Sequence, residues 1–257
     1  MGKITAAVAT LIGYLLAGIY NVLYNIFGSI GITYGMSIIL LTIIIRIAMY
    51  PLFAKQTKSM ANMGSLQEKI KELQKKYGDD KETYNQKVAE LYKEEGVNPS
   101  AGCLPMLIQL PIIWGLFALL RNPMNYVDSI SIIDSTTLLM GIHESFFWIH
   151  DLTQPDSWIL PIGAAITTYI NFSQSQNQQS GNAQSGGAMM SSMKYFYPVI
   201  ILWMGRSFPA GLAIYWFVSQ FVQIFINRHL NKLRREIREG KYGKKESKKK
   251  GKENKGK

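Results

Sequence analysis

Five apolar runs follow Gly28 along this chain of 257 residues, separated by polar and charged segments. The first begins after Gly31 and ends near Pro51, and at about 1.5 Å per residue it can cross a bilayer as a helix. The last three are shorter than the roughly 17 residues of an ordinary membrane helix, so we expect local membrane thinning or burial of their ends. The five predicted spans are residues 32–53, 103–120, 157–172, 195–205 and 212–226.

The first 28 residues form a separate apolar stretch. Small or polar residues recur in it at intervals of four, which places them on one slanted stripe of a helix. We predict an amphipathic helix at the membrane interface over residues 1–28. Two alternatives stay open, namely an additional span that packs through its small residues and a cleaved signal peptide. The stripe consists of Thr5, Ala9, Gly13, Ala17, Asn21 and Asn25.

Residues 54–98 have a different pattern, with apolar positions at spacings of three and four among charged ones. This pattern predicts two amphipathic helices, and the Gly78-Asp79-Asp80 sequence marks a turn between them. Nine lysines stand against eight acidic residues. A near balance of charge argues against tight nucleic-acid binding. We therefore predict a helical hairpin outside the membrane.

The charge distribution orients these segments. The chain has 28 Lys and Arg against 17 Asp and Glu, and fourteen of the basic residues lie in the tail at 227–257. Residues 122–156 contain five acidic residues and no Lys or Arg. By the positive-inside rule, the hairpin and tail are cytoplasmic and 122–156 is external. The amino terminus is then outside, and the Gln-, Ser- and Gly-rich stretch 173–192 is a flexible cytoplasmic linker.

These observations predict an all-α membrane protein with five transmembrane helices, an amino-terminal interfacial helix and a cytoplasmic helical hairpin. The predicted divisions are the interfacial helix at 1–28, the five-span core at 29–226 and the basic tail at 227–257.

Arg46 is the single charge in the first span. An arginine at the bilayer centre costs about 2.5 to 3.5 kcal/mol on insertion scales, so it normally faces water, a counter-charge or a polar cavity. The predicted spans contain no Asp or Glu well inside them, which favours a hydrated groove or an acid supplied by a partner. Their neutral polar residues more often bond a neighbouring helix: Gln109, Thr167, Thr168, Asn171, Ser219, Gln220 and Gln223.

The motifs of intramembrane enzymes are not found. The spans hold no Ser–His or Ser–Lys pair, and the chain has no H-E-x-x-H sequence. His143 and His150, seven residues apart, could share a helix face, so a metal site is conceivable beside an ordinary interfacial pair. We predict no catalytic residues, no metal and no cofactor, and a free thiol at Cys103, the only cysteine.

Five motifs in order resemble the YidC/Oxa/Alb membrane protein insertases, in particular the short Gram-positive form without a large external domain. They are YGMSIILLTIIIRIAMYPLFAKQTKSM around Arg46, NPSAGCLPMLIQLPI from Asn98, FFWIHDLTQPD from Phe146, ITTYIN from Ile166 and FPAGLAIYWFVSQ from Phe208.

The resemblance implies a hydrophilic groove that is open to the cytoplasm and lipid, in which Arg46 attracts acidic residues of a client. The matching groove positions are Gln109, Asn171 and Trp216, and Asn171 departs from the glutamine expected there. The cytoplasmic hairpin would help to receive nascent membrane proteins, and the basic tail would contact ribosomal RNA. The Sec translocon is a further expected partner, and the expected location is the cell membrane.

Three functions stay open at this point. The leading hypothesis is a non-enzymatic insertase that holds the polar segment of a nascent protein at Arg46 while its apolar segment enters lipid. A small-solute transporter or channel with Arg46 as an anion site is the alternative. A scaffold for the Sec machinery is the third.

Overall fold

The computed structural model describes residues 2–28, 33–96, 104–122, 124–127, 141, 143, 145–176 and 187–238. Within these ranges the regular structure is helical, apart from one isolated antiparallel bridge between Phe146 and Ile149. The all-helical class predicted from the sequence is confirmed there. The helices are α1 (Gly2–Phe27), α2 (Thr33–Tyr77), α3 (Lys81–Glu94), α4 (Leu104–Arg121), α5 (Met124–Val127), α6 (Ile159–Gln176), α7 (Gly187–Gly205) and α8 (Ala210–Arg238).

The chain divides into two compact units. The first comprises Met1–Ala48, Pro105–Ser173 and Ser192–Ile224, and the second Met49–Leu104, Gln174–Ser191 and Phe225–Lys257. Helices α2 and α8 contribute residues to both units.

The first unit has a continuous apolar core. Helices α1, α2, α4, α6 and α8 and the segment 145–156 all contribute buried side chains to it. In the helices, apolar residues at spacings of three and four lie on one face. Aromatic contacts join α1 to α2, since the rings of Tyr20 and Tyr34 meet edge to face at 6.0 Å. The largest fully buried members are Leu16, Tyr20, Tyr34, Ile38, Leu41, Leu116, Leu119, Leu152 and Tyr215.

The small residues of α1 lie on its packed face. Ala9, Gly13 and Ala17 are all buried, and a Cβ added to Gly115 of α4 would lie 2.8 Å from Val8 Cγ1 and 3.2 Å from the backbone nitrogen of Ala9. The stripe therefore permits close helix packing, as the spanning alternative requires. The interfacial placement of α1 stays a prediction.

We expect Gly115→Ala to lower the melting temperature of the purified protein in detergent. The added methyl group enters a contact that is already tight, and such overpacking typically costs about 1 to 3 kcal/mol. Gly18→Ala is the matched control, because a Cβ at Gly18 meets nothing within 4 Å. It should be neutral or stabilising, since both substitutions replace a helical glycine. Equal melting temperatures for the two variants would contradict the proposed role of Gly115.

The segment 145–156 is fastened to the start of α8. The backbone N–H of Gly211 donates to Leu152 O at 3.0 Å, and that of Ala210 donates to Gln154 O at 2.8 Å. Asp156 accepts a hydrogen bond from the Leu160 N–H at 2.6 Å, which satisfies one of the unpaired donors at the first turn of α6. This part of the predicted external segment is therefore ordered by backbone hydrogen bonds.

Three helices are longer than the apolar runs from which they were predicted. Helices α6, α7 and α8 have 18, 19 and 29 residues, because their polar flanks continue the helix. The expected shortness concerns the apolar runs within these helices, and it stays a prediction. By length and composition, the described helices that could cross a membrane are Gly2–Phe27, Thr33–Thr57 and Ala210–Glu236, with Leu107–Arg121 as a shorter apolar helix. The count of five spans stays a prediction.

In the second unit the predicted hairpin is present. Helix α2 ends at Tyr77 and α3 begins at Lys81, and Leu66, Ile70 and Leu91 form a buried cluster between them. The Asp80 carboxylate caps α3 by accepting hydrogen bonds from the N–H groups of Glu82 and Thr83, both at 3.1 Å. These bonds, with that from the Thr83 hydroxyl, lower the pKa of Asp80 below its ordinary value. The cytoplasmic location of the hairpin stays a prediction.

Several predictions fall partly or wholly outside the described residues. These are residues 97–98 at the end of the predicted hairpin, Cys103, most of 128–144, the linker residues 177–186 and the tail beyond residue 238. Helix α7 begins at Gly187, so the end of the stretch predicted as a flexible linker is helical.

Candidate functional site

Arg46 lies in the apolar amino-terminal half of the 45-residue helix α2. The run from Tyr34 to Phe53 favours continuous helix with few polar side chains, and the buried hydroxyls of Ser37 and Thr42 donate back to carbonyl oxygens of α2 itself at 2.7 and 2.6 Å. Arg46 is 6% exposed, whereas its neighbour Ile47 is 64% exposed. The arginine therefore faces the interior of the first unit and the isoleucine faces outward.

Two residues of α8 hold the guanidinium. Ser219 Oγ accepts a hydrogen bond from Arg46 Nε at 2.8 Å and a second, shorter one from Nη2. Gln223 Oε1 accepts from Nη1 at 3.0 Å. Ser219 and Gln223 are four residues apart, so they lie on the same face of the helix. Helix α8 thus presents a two-residue cradle to the arginine.

Gln109 of α4 completes the cluster. Its Oε1 accepts from Arg46 Nη2 at 3.3 Å, while its Nε2 donates to the hydroxyl of Tyr215 at 2.8 Å. Tyr215 is fully buried and lies one turn before Ser219 on α8. Gln109 therefore connects the arginine on α2 with α8 through both ends of its amide.

Arg46 donates its hydrogen bonds in this cluster to uncharged groups. Ser219, Gln223 and Gln109 are all neutral, so their hydrogen bonds orient the guanidinium and offset part of its desolvation without cancelling its charge. A carboxylate would bind the same N–H groups more strongly, since charge-assisted hydrogen bonds are roughly twice as strong as neutral ones. The cluster is thus chemically suited to an acidic ligand.

A second polar layer joins α6 to α8. The Asn171 amide donates to the backbone oxygen of Gln220 and to its side-chain oxygen, both at 2.8 Å. Trp216 Nε1 donates to the buried hydroxyl of Thr168 at 3.3 Å. Each of these bonds satisfies a polar group within the helix bundle and ties α6 to α8.

The four residues predicted for the site lie in two separate polar clusters. Arg46 and Gln109 are hydrogen-bonded to each other, while Asn171 and Trp216 bond to Gln220 and Thr168 in the layer between α6 and α8. The arginine was expected to be in contact with water. It is buried instead, because side chains from α4 and α8 supply its acceptors, and a hydrated groove beside it stays a prediction.

Three functional candidates were not singled out from the sequence. Tyr215, Ser219 and Gln223 recur at intervals of four along α8, and the two polar residues were assigned to ordinary helix contacts. That spacing, opposite an intramembrane arginine, is the signal that could have identified them.

Among the described residues no group of three or more His, Cys, Asp or Glu side chains could hold a metal ion. His143 Nδ1 lies 2.9 Å from the carboxylate of Asp151.

Known proteins are similar to this chain over most of its length. The family model described as 60Kd inner membrane protein matches residues 23–237. A protein named membrane protein insertase YidC from Francisella tularensis subsp. novicida (strain U112) is 36% identical over 216 residues, which cover 82% of this chain and 35% of that protein. The protein of the same name from F. tularensis subsp. holarctica (strain LVS) has the same identity and coverage.

A solved structure agrees with these similarities. The chain is similar to the structure titled "Active YidC insertase crystal structure with the first transmembrane domain resolved", with a TM-score of 0.56 and 27% sequence identity. The match covers 84% of this chain and 45% of the other. The chain thus spans about a third of the length of these curated relatives, at 35%.

Proposed function

Because this chain belongs to the 60Kd inner membrane protein family, we propose that it is a membrane protein insertase, which takes nascent membrane proteins and releases them into lipid. The observation that carries the proposal is Arg46, a buried cation in an apolar helical segment that donates hydrogen bonds to neutral side chains of α4 and α8. The insertase names of the relatives point to the same role.

The proposed mechanism is an exchange of hydrogen-bond acceptors. A carboxylate from the polar segment of a client approaches the guanidinium and replaces Gln223 and Gln109, whose bonds are neutral. Its charge-assisted bonds are stronger, and a bidentate carboxylate matches the planar fork of arginine. Ser219 keeps its bond to Nε and so holds the guanidinium in place. Release follows when the apolar segment of the client has entered lipid and its polar segment leaves for water.

The groove around this site is part of the proposal. Arg46, Gln109, Asn171 and Trp216 form its client-binding set, to which Ser219 and Gln223 are added. The groove is hydrated and opens to the cytoplasm, so that a client can reach it.

Location and partners are proposed with the same function. The protein lies in the cell membrane with five spans, its amino terminus outside and its tail inside. The hairpin at 54–98 receives the client, the tail at 227–257 contacts ribosomal RNA through its basic residues, and the Sec translocon cooperates with some clients. No cofactor or covalent chemistry is part of this role.

Reconstitution tests the proposal against solute transport. The purified full chain is placed in vesicles, and a nascent client with an acidic translocated segment is synthesised in their presence. We expect protease-protected client only in vesicles that contain the protein, and no chloride flux in the absence of client. Chloride flux without any client, together with unprotected client, would overturn the insertase assignment in favour of a channel.

A further inference from the structure

A second polar feature lies in the first unit, away from the arginine cluster. A cavity of about 650 Å³ is bounded by the end of α4, His143, the segment 153–155 and the turn 207–209 between α7 and α8. Its volume falls within the range of about 300 to 1,000 Å³ that is usual for small-molecule sites.

The walls of this cavity are held together by specific contacts. Gln154 and Leu152 accept the backbone hydrogen bonds of Ala210 and Gly211, as described above, which connects the segment to the residues that directly follow the turn. The rings of Phe117 and Phe208 meet edge to face at 5.3 Å and join α4 to the same turn. The cavity is therefore formed before any ligand binds.

The lining combines a cation and polar side chains with aromatic ones. Arg121, His143 and Thr153 supply the polar groups, and Arg121 is exposed at the end of α4, with its guanidinium carbon 5.8 Å from the centre of the Phe117 ring. Phe117 and Phe208 supply the aromatic surface. A ligand that matches this lining carries an anion next to an apolar body.

The acidic residue Asp151 contacts two residues of this lining, Thr153 and His143. The Asp151 carboxylate accepts hydrogen bonds from the backbone N–H and hydroxyl of Thr153, both at 2.7 Å, and lies 2.9 Å from His143 Nδ1. Partial burial raises the pKa of Asp151, but the hydrogen bonds from Thr153 and His143 outweigh this effect and lower it below the ordinary value. Asp151 thus stays ionised and orders Thr153 and His143.

An aromatic and a basic side chain, Trp158 and Arg206, contact each other near the cavity. The guanidinium carbon of Arg206 lies 4.1 Å from the centre of the Trp158 ring. Trp158 directly precedes α6 and Arg206 directly precedes the turn that lines the cavity. Exposed Trp and Arg side chains at helix ends are typical of the headgroup region. This pair therefore favours a location of the cavity near the lipid headgroups.

We propose that this cavity binds the headgroup of an anionic phospholipid, with Arg121 as the phosphate ligand and the Phe117–Phe208 wall against the glycerol and first acyl carbons. Nothing in the insertase mechanism above requires this site, so it can exist whether or not that mechanism is correct. The lipid would brace the end of α4 against the turn before α8.

Native mass spectrometry of the full chain in neutral detergent tests the proposal, with phosphatidylglycerol as the titrated probe. We expect Arg121→Gln to weaken the tightest phosphatidylglycerol binding by about tenfold, the effect of losing one charged hydrogen bond. Arg206→Gln is the matched control, because it removes the same charge nearby but does not line the cavity, and it should change binding by less than about twofold. Arg121→Lys should restore part of the affinity, since it keeps the charge.

Three results would overturn the proposal. If Arg121→Gln and Arg206→Gln weaken lipid binding equally, the lipid is attracted by the general surface charge and not by a specific site. Unchanged phosphatidylglycerol binding by the Arg121→Gln variant would show that Arg121 is not the phosphate ligand. Displacement of the lipid by an equal concentration of sodium phosphate would assign the cavity to a free anion. Retention of the lipid under that competition supports the headgroup assignment.

Discussion

Arg46→Ala should lower the insertion rate of clients with acidic translocated segments by about tenfold or more. The variant removes the N–H groups that a client carboxylate would engage, and charged hydrogen bonds contribute about 1.5 to 3 kcal/mol each, where 1.4 kcal/mol corresponds to a factor of ten. The same client with its acidic residues changed to amides should be inserted at similar rates by both proteins. Protease protection of the client in reconstituted vesicles measures both rates.

Further variants separate charge from geometry. Arg206→Ala removes an exposed arginine that stacks on Trp158, so it should leave insertion unchanged. Arg46→Lys keeps the charge but loses the planar fork, and it should be intermediate. Ser219→Ala keeps the arginine but removes the acceptor of its Nε, so it should impair acidic clients more than neutral ones.

One result would contradict the proposed mechanism. If Arg46→Ala inserts acidic clients at the normal rate while remaining folded, the guanidinium does not receive client carboxylates. Family membership would stand, because it rests on the match over residues 23–237 and not on this residue. The polar cluster would then be a structural feature that joins α2, α4 and α8.

Leu152→Ala should cost about 2 to 5 kcal/mol of unfolding free energy, the usual range for removing a buried leucine side chain. Leu152 is 1% exposed and belongs to the core of the first unit. It also lies in the segment whose backbone is bonded to the start of α8. A loss of this size is a large part of the roughly 5 to 15 kcal/mol that stabilises a typical protein. Unfolding of the purified protein in detergent, followed by tryptophan fluorescence, measures it.

Leu11→Ala is the control with the same chemical change. Leu11 is 62% exposed on α1, so the truncation leaves no cavity and should have little effect. If the two variants unfold at the same denaturant concentration, segment 145–156 does not contribute to the stability of the unit in the way its burial indicates.

Local signals were sufficient for the hairpin. Apolar spacing of three and four predicted two helices, and Gly78-Asp79-Asp80 predicted the break between Tyr77 and Lys81. Asp80 also caps the second helix. Each of these depends on residues within about two turns of one another, which sequence patterns report directly. Helix ends were less well predicted, as the polar extensions of α6 and α7 show.

The candidate site was predicted in part. Arg46 was identified because a charge in an apolar run is conspicuous, whereas Ser219 and Gln223 lie 173 and 177 residues further along the chain. A neutral polar residue in a membrane helix has several ordinary roles, so composition does not select these two. Their approach to Arg46 depends on how α2 and α8 pack.

By itself, the sequence determined the helical class, the apolar segments, the hairpin and its turn, and the presence of one isolated arginine, because each is a property of neighbouring residues. Only the tertiary structure decided that this arginine is buried rather than exposed, that its acceptors are Ser219, Gln223 and Gln109, and that Leu152 and Gln154 bond to the start of α8. The physical reason is that burial and hydrogen-bond partners are set by the packing of distant helices, which alone places their side chains within bonding distance.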